Sequence, residues 1–285
     1  MSRNTKTSNG IPHRRLLAKE ISSFRATIYG HYRIRGRELP WRNTDDPYHI
    51  LVSEIMLQQT QVERVLQKYG PFIARFPHVI ALAGSPLSEV LRLWQGLGYN
   101  RRALSLVKIA RIVASELDGR IPEDPEALMR LPGIGQATAG SILSFAFQKP
   151  FVFVETNIRR TFIHHFFQDR KEVHDREIMP LVEATLDRTN PREWYYALMD
   201  YGSHLKGEVE NPNRRSIHYS RQSRFNGSDR MIRGAILKIL VEKGSVTTRK
   251  IISAVSNDSQ RVTKILRTME CEGLIVRSGN TYKVA

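Results

Sequence analysis

The chain has 285 residues, 41% of them apolar and 25% charged, a balance that suits about two globular domains and excludes collagen-like and low-complexity classes. Lys plus Arg number 44 against 28 Asp plus Glu, a formal charge of +16. That excess points to a polyanionic partner, nucleic acid first; the bland alternative is a soluble protein that happens to be basic. A membrane partner is not expected: no apolar run reaches about 18 residues, no basic amphipathic segment stands out, and the basic N-terminus lacks the apolar stretch of a secretory signal. One cysteine, Cys271, excludes an intramolecular disulfide and a four-cysteine iron–sulfur cluster and suits a reducing cytoplasm.

In chain order, residues 1–20 read as a flexible basic arm. Helical periodicity then predicts helices at 21–35, 48–67, 71–76, 85–93, 100–117, 124–130, 136–148, 155–167, 175–188 and 191–205, with Asp45, Asp124 and Asp175 as N-caps. Periodicity is lost over 206–228, a polar stretch with Arg214, Arg215, Arg221 and Arg224 that reads as a linker or a DNA-facing loop. Residues 229–285 predict helix, short strand, helix, helix and a terminal hairpin, the winged helix-turn-helix pattern. Its third helix carries Arg261, Lys264 and Arg267 at spacings that share a face. That helix either enters a DNA groove or packs against protein. The fold class is therefore mainly α: a helical domain over 21–205 and a small winged-helix domain over 229–285.

Three segments carry chemistry. Leu131-Pro132-Gly133-Ile134-Gly135-Gln136-Ala137-Thr138-Ala139 lies between two predicted helices. Its glycines allow a tight turn, and the N–H groups opening the next helix, at Gln136 to Thr138, can meet a phosphate. The run Phe151 to Val154 leads into Glu155, Thr156 and Asn157. Glu155 is either a partly buried functional carboxylate or a first-turn acid that complements the helix dipole. Glu54 sits on an otherwise apolar helix, followed by Gln58 and Gln59, long amides able to probe a duplex. His164, His165 and His174 invite a metal, but adjacent helical residues point about 100° apart, which favours structural or phosphate-contacting roles; no metal is expected. Trp94 and Trp194 read as core.

Together these segments, with Leu39-Pro40-Trp41-Arg42, Trp94 to Tyr99 and Tyr196 to Gly202, resemble the helix-hairpin-helix DNA glycosylase superfamily, and within it the MutY-type adenine DNA glycosylases. The resemblance covers about residues 38–205. It implies two helical lobes with a catalytic cleft between them, and an enzyme that flips a base from the duplex and hydrolyses its N-glycosidic bond. It implies that Glu54 protonates the departing adenine, that a carboxylate at 155 stabilises the sugar cation, and that Asn157 belongs to the active site. Gln59 then probes the duplex, Tyr99 wedges beside an opposing 8-oxoguanine, and Gly133 and Gly135 grip phosphate.

Four departures bear on that expectation. The family's aspartate is Glu155 here. The four cluster cysteines are missing, with Lys206 at about the first position, so no cofactor is expected. Ala137 stands where bifunctional members carry a Schiff-base lysine, so no lyase activity is expected by that route. The winged helix replaces the domain that reads 8-oxoguanine. The expected function is a monomeric, monofunctional base-excision enzyme of cytoplasm or nucleoid, acting on double-stranded DNA with adenine opposite 8-oxoguanine or guanine. The rivals are the same fold removing thymine, uracil or another damaged base, and a non-catalytic DNA-binding protein.

Overall fold

The computed structural model describes residues 16–222, 224–256 and 258–285. The expected arm over 1–20 falls largely outside them; its end, from Ala18, already belongs to the first helix. The chain forms two compact units, each built from two stretches: 1–38 with 143–220, and 39–142 with 221–285.

The first unit contains α1 (Ala18–Arg35), α9 (Thr156–Phe166), α10 (Asp175–Thr185) and α11 (Pro191–Glu208), with a 3-10 turn at Pro212–Arg215. α1 and α9 both pack on α11. Their seam is aromatic: Phe24 lies 5.3 Å from Phe162 and 6.0 Å from Trp194 between ring centroids, all buried. The segment 206–228 is not a uniform linker. α11 continues to Glu208, and the 3-10 turn follows, because Asn211 caps that turn and Arg215 fastens it to the carbonyls of Phe167 and Gln168.

The second unit opens with α2 (Pro47–Leu57), α3 (Val62–Arg75), α4 (Val79–Ala83), α5 (Leu87–Trp94), α6 (Arg101–Glu116) and α7 (Pro125–Arg130). α8 (Gln136–Ala146) leads out of it into the first unit. The helix expected over 48–67 is two helices. α2 stops at Leu57 and α3 starts at Val62, with Gln59 between them in the left-handed region at φ 53°. α3 then runs through Pro71 instead of starting there, since Val65, Tyr69 and Phe72 bury one continuous face. Two caps also differ from expectation. Asp46, not Asp45, accepts from the N–H groups of Tyr48 and His49, and His174 precedes α10 while Asp175 is its first residue. Asp124 caps α7 as expected.

The C-terminal stretch forms α12 (Asp229–Lys243), β1 (Val246–Thr247), α13 (Thr248–Val255), α14 (Ser259–Cys271), β2 (Ile275–Ser278) and β3 (Thr281–Val284). The strands make one antiparallel sheet in the order β1-β3-β2, with Arg277 opposite Tyr282. This is the expected winged-helix element order. α12 packs on α5, so these elements share a compact unit with α2 to α7.

Candidate functional site

The carboxylate segment is positioned from below by aromatic packing. Phe153 is fully buried against Tyr195, 4.3 Å between centroids, and the Tyr195 hydroxyl donates to the Phe151 carbonyl at 2.7 Å. That anchors the extended run that delivers Glu155 to the start of α9. Glu155 is the N-cap itself: one carboxylate oxygen accepts from the N–H groups of Asn157 and Ile158, both at 2.7 Å. The other accepts from the Asn157 side-chain amide at 3.3 Å. Glu155 thus caps α9 from just outside its first turn, and it is partly buried. Burial pushes its pKa up, against the backbone donors and the positive charges of Arg159 and Arg160.

Asn157 is held in turn by Arg160, which is 5% exposed. Arg160 Nη1 donates to Asn157 Oδ1 at 2.8 Å and to the Gly202 carbonyl at 2.6 Å, and its Nε reaches Asn211 Oδ1 at 3.3 Å. Asn213 donates from its side chain to the Thr156 carbonyl at 2.9 Å. Sequence reasoning missed Arg160, Asn211 and Asn213. The clue was a buried arginine on the inner face of α9, visible only once α11 is packed against it.

Chemically, this half-site fixes a carboxylate and a carboxamide at a helix N-terminus, partly shielded from water. An anionic oxygen so held can stabilise a nearby developing cation.

In the second unit Glu54 lies half-buried on α2, between the fully buried Ser53 and Ile55. Gln58 follows at the end of α2 and turns inward: its amide donates to the Gly133 carbonyl at 3.2 Å and to Thr138 Oγ1 at 3.1 Å. Gln58 thereby ties α2 to the glycine hairpin. Gln59 is exposed. In the hairpin, Gly133 needs its left-handed φ of 84°, and a Cβ there would sit 3.2 Å from the Ser105 side chain. Gly133, Gly135 and Gln136 are exposed at the mouth of α8. The start of α8 is therefore open to solvent.

Tyr99 is also left-handed, at φ 46°. Its hydroxyl accepts from Gln222 and, at 2.9 Å, from Arg230. Between Tyr99 and Gln59 stands a residue the sequence did not flag, Arg102, 9% exposed. It donates to the carbonyls of Ile55 and Met56 at 2.8 and 2.7 Å, to Thr60 Oγ1 at 2.9 Å and to the Gly98 carbonyl at 3.1 Å. One guanidinium so caps α2 and pins both loops. Burial lowers its pKa to about 10, which leaves it charged at neutral pH.

On α14 Lys264 and Arg267 are exposed, but Arg261 is tied to Asp229 at 2.7 Å and to the Gly227 carbonyl at 2.8 Å. The expected three-residue basic face is thus two free-standing cations beside a structural tie. The histidines also have structural duties: His165 lies 3.1 Å from the Tyr201 hydroxyl, and His174 leads into α10. Among the described residues no group of three or more His, Cys, Asp or Glu could hold a metal. The stretch after α11 does not fit a thiolate-bound cluster. Lys206 sits in the last turn of α11, the Asn211 to Arg215 turn follows it, and Cys271 is on α14 in the other unit. No described helix is long and apolar enough to cross a membrane.

Comparison with known proteins agrees with these features. Residues 52–184 match the HhH-GPD superfamily of base excision DNA repair proteins. An adenine DNA glycosylase of Mycolicibacterium smegmatis is 34% identical over 272 residues, covering 88% of this chain and 91% of that relative. An adenine DNA glycosylase of Buchnera aphidicola subsp. Baizongia pistaciae is 38% identical over 185 residues, 63% of this chain; the chain spans about half of that relative's length, 52%. Among solved structures, a thermostable thymine-DNA glycosylase superposes with a TM-score of 0.60 at 28% identity, covering 65% of this chain and 87% of that one.

Proposed function

The chain belongs to the adenine DNA glycosylase family of the HhH-GPD superfamily, and from that premise we propose that it is a monofunctional DNA glycosylase releasing adenine mispaired with 8-oxoguanine or guanine. The observation that carries the proposal is the Glu155–Asn157 pair at the start of α9, clamped by Arg160. Breaking the glycosidic bond leaves positive charge on the sugar, and a preorganised carboxylate beside that charge lowers the barrier. The target base must first leave the stack, since the bond is unreachable inside a duplex.

In this mechanism Glu155 is the ionised carboxylate that stabilises the sugar cation. Asn157 fixes its orientation. Glu54, on the apolar α2, hands a proton to the departing base. Water completes the hydrolysis, and Ala137 offers no amine for a Schiff base. The outward-facing hairpin at Gly133 to Thr138 binds the DNA backbone, and Lys264 and Arg267 add non-specific affinity. The protein acts as a soluble monomer on double-stranded DNA, with no cofactor. Thymine is the second reading, favoured by the 28% identity to the thymine-DNA glycosylase.

The test is single-turnover base release from duplexes with adenine opposite 8-oxoguanine or guanine, and thymine or uracil opposite guanine. Alkali then reveals abasic sites. Adenine release supports the proposal. Release of thymine or uracil alone keeps the chemistry and replaces the substrate. Tight binding without any release makes the protein a DNA-binding module.

A further inference from the structure

In the first unit the 3-10 turn at Pro212–Arg215 packs on α9 and grips it at both ends. Asn213, 5% exposed, donates to the Thr156 carbonyl at the start of the helix. Arg215 donates to the carbonyls of Ile163 and Phe167, in the last turn and just beyond it, at 3.4 and 2.6 Å. Asn211 closes the turn, its Oδ1 accepting from the Asn213 N–H at 3.2 Å. Stability alone does not account for this arrangement. Asn213 Oδ1 is buried and meets no donor among the described residues, and an unmet buried acceptor is a cost. Local costs of this kind fall where position matters more than stability.

The same Asn211 Oδ1 also faces the carboxylate half-site. It accepts from Arg160 Nε at 3.3 Å, Arg160 Nη1 donates to Asn157 Oδ1 at 2.8 Å, and the Asn157 amide donates to the Glu155 carboxylate at 3.3 Å. These side chains form one polar chain from the turn to the carboxylate, and it has a single consistent polarity. The Asn157 amide must turn its oxygen to the guanidinium and its nitrogen to the carboxylate. A flip would set donor against donor and acceptor against acceptor. Arg160 enforces that orientation only while its own plane is held. Its Nη1 meets Asn157 and the Gly202 carbonyl, and its Nε meets Asn211. Without the Asn211 acceptor a buried donor is left unpaired, and the guanidinium gains by turning toward another partner and away from Asn157.

We propose that Asn211 is a positioning residue for glycosidic bond cleavage, acting through Arg160 to fix the Asn157 amide and with it the Glu155 carboxylate. The assignment rests on the glycosylase reading but not on which base is excised. The turn after α11 thereby serves the reaction as well as the fold.

Three variants of the full chain separate this role from capping. Asn211→Ser keeps an oxygen able to cap the turn but is too short to reach Arg160. Asn211→Asp keeps both contacts. Asn211→Ala keeps neither. Single-turnover release at saturating enzyme, on whichever duplex the wild type cleaves, should fall by about 10–10²-fold in the serine and alanine variants, the scale of a small misplacement of a reacting group. The aspartate variant should retain most of the rate. Affinity for a duplex carrying a non-cleavable abasic analogue should be unchanged in all three, and the melting temperature should drop in the alanine variant alone. Amide exchange at Asn157 and Ile158, whose N–H groups bond Glu155, reads the chain of contacts without any base release. It should be several-fold faster in the serine and alanine variants and unchanged in the aspartate variant. A serine variant with wild-type rate and exchange makes Asn211 a cap alone and overturns the proposal, as does an aspartate variant no better than alanine. A wild type that releases no base from any duplex sinks the glycosylase reading, and the catalytic half of this one with it, while the order of exchange rates still decides on the contacts.

Discussion

Gly202 lies so close to Asn157 that a Cβ built on it would fall 2.3 Å from the Asn157 carbonyl oxygen and 2.9 Å from its Cα. The obstruction is backbone, so no side-chain rotation relieves it. α11 can meet the start of α9 at this distance only through a glycine, and the meeting lets Arg160 reach the Gly202 carbonyl and Asn157 together.

Gly202→Ala should therefore force the two helices apart. Overpacking of this kind costs about 1–3 kcal/mol, and the upper end is expected here because backbone meets backbone. A displacement of about 1 Å at Asn157 should also lower single-turnover base release by about 10²-fold. Gly207→Ala on the same helix is the control. Nothing lies within 4 Å of its Cβ position, so it should stabilise the helix by up to about 1 kcal/mol. Denaturant melts of both variants decide the matter: equal effects would show that helix propensity, not the contact, governs position 202.

Arg102→Met tests the brace between the Gln59 and Tyr99 loops. The substitution keeps much of the apolar stem but leaves the carbonyls of Ile55, Met56 and Gly98 without their donor. Each buried group left unmade costs about 1–3 kcal/mol, so a loss of about 3 kcal/mol or more is expected in equilibrium unfolding. Burial leaves Arg102 with a pKa of about 10, so the brace should be insensitive to pH between 6 and 9. A stability loss below about 1 kcal/mol would mean that the loops hold their left-handed conformations without it.

These two residues mark where the sequence was legible and where it was not. The helices could be read because burial imposes a period: Val65, Tyr69 and Phe72 repeat on one face of α3. The break before α3 could not, because no glycine or proline marks Gln58 to Gln61. The stop is imposed by Arg102, more than 40 residues away in sequence, taking the last carbonyls of α2. Glu155, Asn157 and the glycine hairpin were legible because their chemistry sits in short motifs. Arg160 and Arg230 were not. An arginine in a basic chain of 44 Lys and Arg is an unremarkable surface charge until the fold turns it toward Gly202 or Tyr99.

The histidines of the first unit predict acid sensitivity. His165 packs edge-on against Phe24 at 5.1 Å, and burial holds its pKa down at about 4, with His164 adding to the effect. His31 is lowered by burial, then by His204 and Arg35, and His164 by burial and Arg215. The folded state thus keeps these rings neutral, while the unfolded chain protonates them below about pH 6.5. Stability should be full above that pH and decline as pH falls toward 4, where folded His165 begins to take its proton. His165→Phe removes one such group. Melting curves between pH 7.5 and 5 should show a shallower acid-side decline for the variant; parallel curves would show that His165 is not responsible.

Glu155 gives the last prediction, since its capping role and the catalytic role proposed for it can be separated. Glu155→Gln keeps the size and an oxygen for the N–H groups of Asn157 and Ile158 but removes the charge. The loss of stability should be roughly 1 kcal/mol, the scale of a weakened cap. Base release should fall by about 10²–10³-fold, the scale of deleting a preorganised electrostatic group. Glu155→Asp keeps the charge and restores the family residue. It should cap α9 as well as glutamate does and retain far more activity than the glutamine variant. The pH profile supplies an independent sign. Burial raises the Glu155 pKa above its ordinary 4.5, and the ionised form is the one that stabilises a sugar cation. Release by the wild type should therefore fall as pH drops through that raised value, and the residual rate of Glu155→Gln should lack this acid limb. A glutamine variant as active as wild type, with the same acid limb, would reduce Glu155 to a helix cap and move the charge-stabilising role to another residue.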